Sequence, residues 1–411
     1  MSEIIVLGVF VAAYLGMAVG RVPGLRMGRA AILFVAVAVL LATGAVDVER
    51  MGAYIDMPTL LLLFGLMILS GQFGVAGFYD WCAARLAFAD LSPRALLASV
   101  VIVAAGLSAI LANDIVVFAM APILCTGAQR RGLDPRPFLI ALAAASNGGS
   151  AATLIGNPQN ILIGQVGGLD FWEFLLACAG PALVASALVY VVVARIWRGA
   201  LDARPARAAA PDIPPPDRIQ TAKALLATVG LIALFATPIP REVAALLIAA
   251  ALLVSRRIES RRILDSVDWH LLMLFVCLFI VTGSLADIDL AARSMAWFEG
   301  HGLIPDSLAL MAPLSLVASN LIGNVPTVML ILKLWPGAPD GALYGLAALS
   351  TLAGNMLLLG SLANIIVVER AASVGVRLSF LEHAKCGFPI TILSMAGAVA
   401  WLGLAGWMPW R

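Results

Sequence analysis

The chain has 411 residues, of which 62% are hydrophobic and 12% are charged, with a formal net charge of +2. This composition excludes an ordinary soluble domain and indicates a membrane protein with many spans. Five scattered cysteines without a CxxC pair argue against a disulfide framework or a metal knuckle. The N-terminus is apolar from Ile4 without a basic stretch or a cleavage site, so we expect a retained span rather than a signal peptide.

Ten apolar runs predict membrane spans. In chain order they lie near residues 4–20, 30–46, 58–78, 138–165, 172–194, 222–239, 242–255, 269–286, 343–368 and 386–406. Two further runs, about 95–128 and 306–335, are interrupted at Asn113-Asp114 and at Gly323-Asn324. Their limbs hold about 11 to 16 residues, whereas a full crossing needs about 20. We therefore predict two re-entrant hairpins, whose tips stop near the midplane.

Two of the spans are predicted to be broken. The run 138–165 would be about 42 Å long as one helix, against a bilayer core of about 30 Å. Its middle, SNGGSAATLIGNPQN from Ser146 to Asn160, is rich in amides and helix breakers, as is STLAGNMLLLGSLAN from Ser350 to Asn364. Unwound backbone at membrane depth is tolerated only where protein or a watery cavity satisfies it. Broken helices of this kind form the binding sites of many secondary transporters.

The chain divides into two repeats, residues 1–197 and 222–411, joined by a Pro-, Ala- and charge-rich cytoplasmic linker over 198–221. Asp56, Asn113 and Asn160 of the first half recur in similar surroundings as Asp268, Asn324 and Asn364, at nearly constant separations along the chain. Each half holds five spans and one hairpin. Because five is odd, the second half enters the membrane from the opposite side, which predicts an inverted-topology repeat with its site near the midplane.

The positive charges predict the orientation. With the N-terminus outside, 21 of the 26 Lys and Arg residues fall in cytoplasmic segments, among them Arg21, Arg26 and Arg207. We therefore expect a multi-pass protein of the inner membrane whose termini are both periplasmic.

The candidate site residues lie in the two hairpin tips and the two broken spans. Helix N-termini there suit an anion, and unwound carbonyls with Ser, Thr and Asn oxygens suit a cation such as Na⁺. The predicted substrate-binding residues are Asn113, Ser146, Asn147, Gly148, Gly149, Asn157, Asn160, Asn324, Thr327, Ser350, Gly354, Asn355, Ser361 and Asn364. The predicted coupling-ion residues are Asp114, Asn113, Gly149 and Thr153. The alternative for any single small residue is close helix packing.

Asp114 limits the mechanism. It is the one acidic residue that we place near mid-depth, where charges are costly and by default functional, although a helix-capping aspartate in a watery vestibule is the alternative. A buried carboxylate there must be neutralised by a proton or a bound cation. Val325 stands at the corresponding position of the second half, so we expect coupling at the first tip alone. Asp56, Asp268 and Glu369 are interpreted as interfacial caps at span ends.

These motifs resemble those of the ArsB/NhaD and divalent-anion permease group, the ion transporter superfamily. The similarity to putative anion permeases of the YbiR type rests on TLIGNPQNILI, the Asn-Asp hairpin tip, SNxxxNVPTVMLIL and GSLANIIV. The resemblance implies an all-α, elevator-type carrier with a scaffold and a transport domain, often dimeric. Dicarboxylate carriers of the group have Ser-Asn-Thr tips, whereas the triplets here are Ala112-Asn113-Asp114 and Gly323-Asn324-Val325. The Asn-Asp tip is more similar to arsenite carriers and Na⁺/H⁺ antiporters of the group, whereas the Gly-Asn-Pro-Gln-Asn stretch is more similar to its anion carriers.

The sequence therefore predicts a secondary active transporter of a small anion or oxyanion, coupled to H⁺ or Na⁺. Proton-driven arsenite or antimonite efflux and Na⁺/H⁺ antiport remain the alternatives, and a channel is the alternative from another class. We expect no enzymatic activity, no cofactor apart from Na⁺ as a coupling ion, and no nucleic-acid partner. The expected partners are the substrate, the lipid bilayer and a second copy of the chain, and a separate ATPase subunit is left open.

Overall fold

The computed structural model describes residues 2–19, 27–206 and 214–411. Within these ranges the regular secondary structure is helical, without strands. Arg21, Arg26, Arg207 and the middle of the predicted linker lie outside the described residues. The all-α class expected for the chain is confirmed for these residues.

The first half of the chain forms eleven helices in the described ranges. They are α1 (Ser2–Val19), α2 (Arg29–Ala42), α3 (Val48–Tyr54), α4 (Met57–Val75), α5 (Phe78–Ala87), α6 (Pro93–Ile110), α7 (Asn113–Arg130), α8 (Arg136–Ser150), α9 (Pro158–Val166), α10 (Phe171–Ile196) and α11 (Arg198–Leu201).

The second half follows with ten α-helices and one 3₁₀ turn, Leu358–Gly360. The helices are α12 (Arg218–Leu234), α13 (Arg241–Leu253), α14 (Ser260–Leu264), α15 (Trp269–Ala286), α16 (Asp289–Gly300), α17 (Leu308–Ile322), α18 (Asn324–Leu334), α19 (Asp340–Ala353), α20 (Leu362–Ala372) and α21 (Phe380–Leu404). From α12 onward their order repeats that of α1 to α10, so that α15 corresponds to α4 and α18 corresponds to α7.

Five of the described helices, α4, α6, α10, α15 and α21, are long and apolar enough to cross a membrane. Helix α6 is the first limb of the first predicted hairpin, and its length shows that the expectation of a short limb there was wrong. The Ser92 side chain caps the helix by accepting from the Ala95 amide, so α6 begins before the apolar run and reaches 18 residues. In the second hairpin, α17 has 15 residues and α18 has 11. Limb length thus supports re-entrance for the second hairpin only, and re-entrance stays a prediction.

The two interrupted spans have local causes. After α8, residues 151–157 leave the helix until Asn157 caps α9, whose first residue is Pro158. Proline fits there because the first helical position needs no N–H partner. In the second half the chain leaves α19 at Gly354 and passes through the 3₁₀ turn before Ser361 precedes α20.

The halves pack crosswise, which positions the site. Helix α4 packs against α13 of the other half, and α15 packs against α2. In the same way α7 packs against α20, and α18 packs against α9. The second limb of each hairpin therefore meets the broken span of the opposite half.

Candidate substrate-binding site

A cavity of about 730 Å³ lies between the halves. Residues at the starts of four helices line it: Asn113 and Asp114 of α7, Pro158 and Gln159 of α9, Asn324 and Val325 of α18, and Leu362 of α20 with Ser361 directly before it. The first turn of a helix leaves N–H groups unpaired and carries a partial positive charge. The cavity is thus surrounded by four positive helix ends.

Asn147 of α8 connects these elements. Its Nδ2 donates to Oδ1 of Asn355 at 2.8 Å and to Oδ1 of Asn364 at 3.3 Å. Its Oδ1 accepts from the Ser361 hydroxyl at 2.9 Å and from Nδ2 of Asn113 at 3.4 Å. One amide, itself on the cavity wall, therefore holds the first hairpin tip and the second broken span together.

The opposite crossing uses Thr351, the residue that corresponds to Asn147 when the two repeats are aligned on Asn160 and Asn364. The Thr351 hydroxyl accepts from Nε2 of Gln159 at 3.1 Å and from Nδ2 of Asn157 at 3.4 Å. The start of α9 is therefore hydrogen-bonded to α19, and the start of α20 is hydrogen-bonded to α8.

Asn160 and Asn364 hold the two breaks in shape. Nδ2 of Asn160 donates to the carbonyl oxygens of Ser150 and Thr153 at 3.2 and 3.0 Å. Nδ2 of Asn364 donates at 2.9 and 3.1 Å to those of Gly354 and Leu357, the repeat counterparts of Ser150 and Thr153. Both asparagines, predicted to bind substrate, instead satisfy unwound carbonyls, and neither lines the cavity.

The hairpin tips are attached to the breaks through the carbonyls of corresponding glycines, although the donors differ. In the first half the backbone N–H of Asn113 donates to the Gly156 carbonyl at 3.3 Å. In the second half Asn324, with its amide oriented to suit its partners, donates to the carbonyl oxygens of Gly360 and Ser350 at 3.1 and 3.2 Å. Gly360 is the repeat counterpart of Gly156, so in both halves the carbonyl of this glycine accepts a hydrogen bond from the hairpin tip.

Some predicted site residues support the wall from behind. Ser146 shares a 2.8 Å hydrogen bond with Ser108, and its hydroxyl also donates to the Asn113 carbonyl at 3.4 Å. The buried oxygens Oδ1 of Asn113, Oγ1 of Thr327 and Oγ of Ser350 have no hydrogen-bond partner in the described parts of the chain. Buried polar atoms are normally satisfied, and of these three residues only Asn113 lies on the cavity wall.

Gly148 and Gly149 correct the sequence interpretation. Both lie within α8 rather than in the break. A Cβ at Gly149 would come within 2.2 Å of the Ala105 carbonyl oxygen of α6, and one at Gly148 would lie 3.4 Å from the Ala185 side chain of α10. These glycines allow close helix packing, which was the alternative considered for them. Thr153 is likewise occupied, because its hydroxyl donates to the Ala109 carbonyl.

The cavity also exposes charged side chains that the sequence analysis did not assign to the site. Arg29, Asp268, His270 and Glu369 all line it beside Asp114. Asp268 is the cap predicted for it, since its side chain accepts from the Leu271 amide at 2.9 Å. It nevertheless lines the same cavity as Asp114, so the two carboxyl groups belong to one site. Glu369 lies inside α20 and is not a cap.

His383 is the histidine nearest the breaks in the described structure. Sequence analysis placed it outside a span beginning near residue 386, but α21 already begins at Phe380. The ring is buried, and its Nε2 lies 3.1 Å from the Asn355 carbonyl oxygen. It supports the second break without reaching the cavity.

Comparisons with known proteins agree with this architecture. Residues 14–342 match the family model described as citrate transporter. A 46 kDa membrane protein of Mycobacterium leprae is 30% identical, over 85% of this chain and 86% of its own length. The silicon efflux transporter LSI3 of Oryza sativa subsp. japonica is 26% identical, over 93% of this chain and 94% of its own.

Among solved structures, the YdaH transporter of Alcanivorax borkumensis is similar, with a TM-score of 0.59, 15% identity and coverage of 99% of this chain and 100% of its own. At that identity the likeness concerns the fold alone. The resemblance to the ion transporter superfamily and the expectation of a non-enzyme are both confirmed by the family and its transporter relatives. The chain belongs to the citrate transporter family of membrane transporters.

Proposed function

We propose that the chain is a secondary active carrier of a small oxyacid or its anion, coupled to H⁺ or Na⁺ at Asp114. The observation that carries this proposal is the convergence of four helix N-termini on one cavity, in the crosswise arrangement of two broken spans and two hairpin tips. Free N–H groups and positive helix ends favour an oxygen-rich, electron-rich solute. In both breaks an asparagine side chain, Asn160 or Asn364, hydrogen-bonds to the unwound carbonyls. The breaks therefore need no substrate to satisfy these carbonyls.

The position of Asp114 supports the coupling. It occupies the first turn of α7 and lines the cavity, so its carboxylate occupies one of the positive helix ends that an anion would use. A charged Asp114 therefore competes with an anionic substrate, whereas a proton or a bound cation on Asp114 removes the competition. Because Val325 stands at the second tip, this competition occurs at one tip only.

The charges of the cavity also favour a second candidate, export of an uncharged oxyacid of a metalloid. Three carboxylates, those of Asp114, Asp268 and Glu369, face one arginine, Arg29, on the described wall of the cavity. That balance disfavours a free multivalent anion and suits a solute that is neutral or carries one charge. The relative named as a silicon efflux transporter agrees with this candidate, and arsenite or antimonite would fit the same description. Na⁺/H⁺ antiport is the third candidate, since Asp114 alone would suffice for it.

The same proposal includes the elevator-type cycle and the orientation. Helices α1 to α4 and α12 to α15 would form the scaffold, and the hairpins, broken spans, α10 and α21 the moving domain. The inner membrane is the proposed location, with both termini periplasmic, and a homodimer is the proposed assembly.

A thermal-shift panel on detergent-purified protein tests the function. It covers citrate, succinate, sulfate, phosphate, silicic acid, arsenite and antimonite, each with Na⁺ or K⁺ and at two pH values. A ligand that binds the native state raises its stability by mass action, by about 2.7 kcal/mol at a hundredfold excess over its Kd. Stabilisation by an oxyacid that depends on Na⁺ or on low pH, and loses that dependence in Asp114→Asn, supports the coupled carrier. Stabilisation by Na⁺ without any effect of an oxyacid supports antiport instead.

A further inference from the structure

We propose that Arg29 and Arg241 are a pair of alternating gate contacts, one for each side of the membrane. Each would bind a scaffold helix of one half to the broken span of the other half, more tightly when its own side is closed than when it is open. The inference rests on the proposed carrier function, and it concerns the two arginines that begin corresponding scaffold helices.

The two arginines occupy equivalent positions in the repeats. Arg29 is the first residue of α2, and Arg241 is the first residue of the corresponding helix α13. Nη2 of Arg29 donates to the Leu359 carbonyl at 3.3 Å, and Nη2 of Arg241 donates to the Gly164 carbonyl at 2.9 Å. Each arginine thus reaches across to the broken span of the opposite half.

The two contacts differ in strength in this structure. Beside Arg241, Nε2 of Gln165 donates to Oε2 of Glu242 at 2.7 Å, which adds a second bond between α9 and α13. The repeat counterparts of Gln165 and Glu242, beside Arg29, are Glu369 and Ala30. The methyl side chain of Ala30 cannot form the equivalent bond, so the Arg29 side has one long hydrogen bond where the Arg241 side has two short ones.

The cavities agree with this difference. Arg29 lines the large cavity of about 730 Å³, which is also lined by Ile366. The cavity beside the first broken span is smaller, about 340 Å³, and is lined by Leu162, the repeat counterpart of Ile366. Leu162 is 1% exposed, whereas Ile366 is half-buried. The cavity on the Arg29 side, which the positive-inside pattern assigns to the cytoplasm, is therefore the larger of the two, and Leu162 on the Arg241 side is less accessible than Ile366 on the Arg29 side.

Arginine suits a contact that must form and release. Its guanidinium stays charged and offers five donors in a fixed fork, so it can bind a carbonyl in one state and water in the other. The carbonyl taken by Arg241 lies in the last turn of α9, where the helix end is partially negative. Loss of one such contact removes one hydrogen bond, which is enough to shift an equilibrium between two states without unfolding either.

Leu162 and Ile366 provide matched reporters of the two sides. In a background without the five native cysteines, each is replaced in turn by cysteine, and the rate of modification by a membrane-impermeant maleimide is measured from both sides of sealed vesicles. Arg241→Gln is expected to speed modification of Leu162→Cys relative to Ile366→Cys by about fivefold, the change that corresponds to one hydrogen bond. Arg29→Gln is expected to change the ratio in the opposite direction.

Two further variants make the result decisive. Ala30→Gln supplies the missing amide opposite Glu369, so it should change the labelling ratio in the same direction as Arg241→Gln. Arg241→Lys keeps a charged donor and should give a ratio close to that of the parent. The proposal is wrong if both arginine variants shift the ratio in the same direction, or if neither shifts it in protein that remains monodisperse. The labelling needs no substrate, so failure to find a transported oxyacid leaves this test intact.

Discussion

Replacement of Asn147 by alanine should weaken the structure and the transport activity together. The substitution removes four hydrogen bonds, to Asn113, Asn355, Ser361 and Asn364. Hydrogen bonds between membrane helices contribute on average about 0.6 kcal/mol each, so we expect a loss of about 2–3 kcal/mol in the free energy of unfolding. Because Asn147 lines the cavity, water can reach the partner groups that lose their hydrogen bonds. The loss of stability should therefore be smaller than it would be if these groups were left buried and unsatisfied.

Thr351→Val is the matched control, since Thr351 occupies the equivalent position but accepts only two hydrogen bonds and does not line the cavity. Its expected loss is about 1 kcal/mol, with transport retained. Unfolding of both variants by increasing SDS fraction in mixed micelles measures the difference, and uptake into proteoliposomes measures activity. If Asn147→Ala proves as stable and as active as Thr351→Val, the central role assigned to this amide is wrong.

The packing glycines and the break asparagines give two further predictions. Gly149→Ala should destabilise the protein by about 1–3 kcal/mol in the same denaturation assay, because its Cβ would lie 2.2 Å from the Ala105 carbonyl oxygen. Gly148→Ala should be nearly neutral, because its Cβ would lie 3.4 Å from the nearest side chain. Equal effects of the two substitutions would contradict the assignment of Gly149 to close helix packing. Asn160→Ala and Asn364→Ala should both lower the thermal midpoint, since each removes two bonds to unwound carbonyls, and Asn364→Ala should lower it somewhat more, because it also removes the bond from Asn147. A large effect in only one half would refute the structural equivalence of the breaks.

The helix breaks could be predicted from the sequence because their causes are local. Pro158 and the capping residue Asn157 mark the start of α9, and Gly156 and Asn160 recur with the same spacing as Gly360 and Asn364. Helix-breaking and capping preferences act over a few residues, so a single sequence displays them. The same locality explains why Asp268 could be identified as a helix cap.

The roles of the two glycines could not be predicted in this way. Gly148 and Gly149 precede the break by only a few residues, and a glycine that unwinds a helix has the same residue type as one that lets another helix approach. Only the backbone of α6 beside Gly149 separates the two possibilities. Similarly, nothing local distinguishes an asparagine that faces a cavity, such as Asn147, from one that satisfies carbonyls behind it, such as Asn160.

Arg29 was missed for a different reason. In the sequence it is one of many arginines assigned to the cytoplasmic side. The positive-inside rule counts these residues together and does not distinguish one that reaches the site from the others. The available signal was its equivalence to Arg241, since the two begin corresponding helices and are separated along the chain by the same interval as Asp56 and Asp268. The presence of Asp268 and Asp114 on the wall of one cavity could not be predicted, because the two residues are far apart in the chain and come together only through the crosswise packing of the halves.

The most direct test of coupling at Asp114 is a flux measurement in sealed proteoliposomes. An oxyacid selected by the binding panel is offered with an imposed pH gradient, an imposed Na⁺ gradient or neither, to the parent protein and to Asp114→Asn. We predict that the parent accumulates the solute against its gradient under one of the imposed gradients, and that Asp114→Asn only equilibrates it. Accumulation by Asp114→Asn equal to that of the parent would contradict the assignment of Asp114 as the coupling residue.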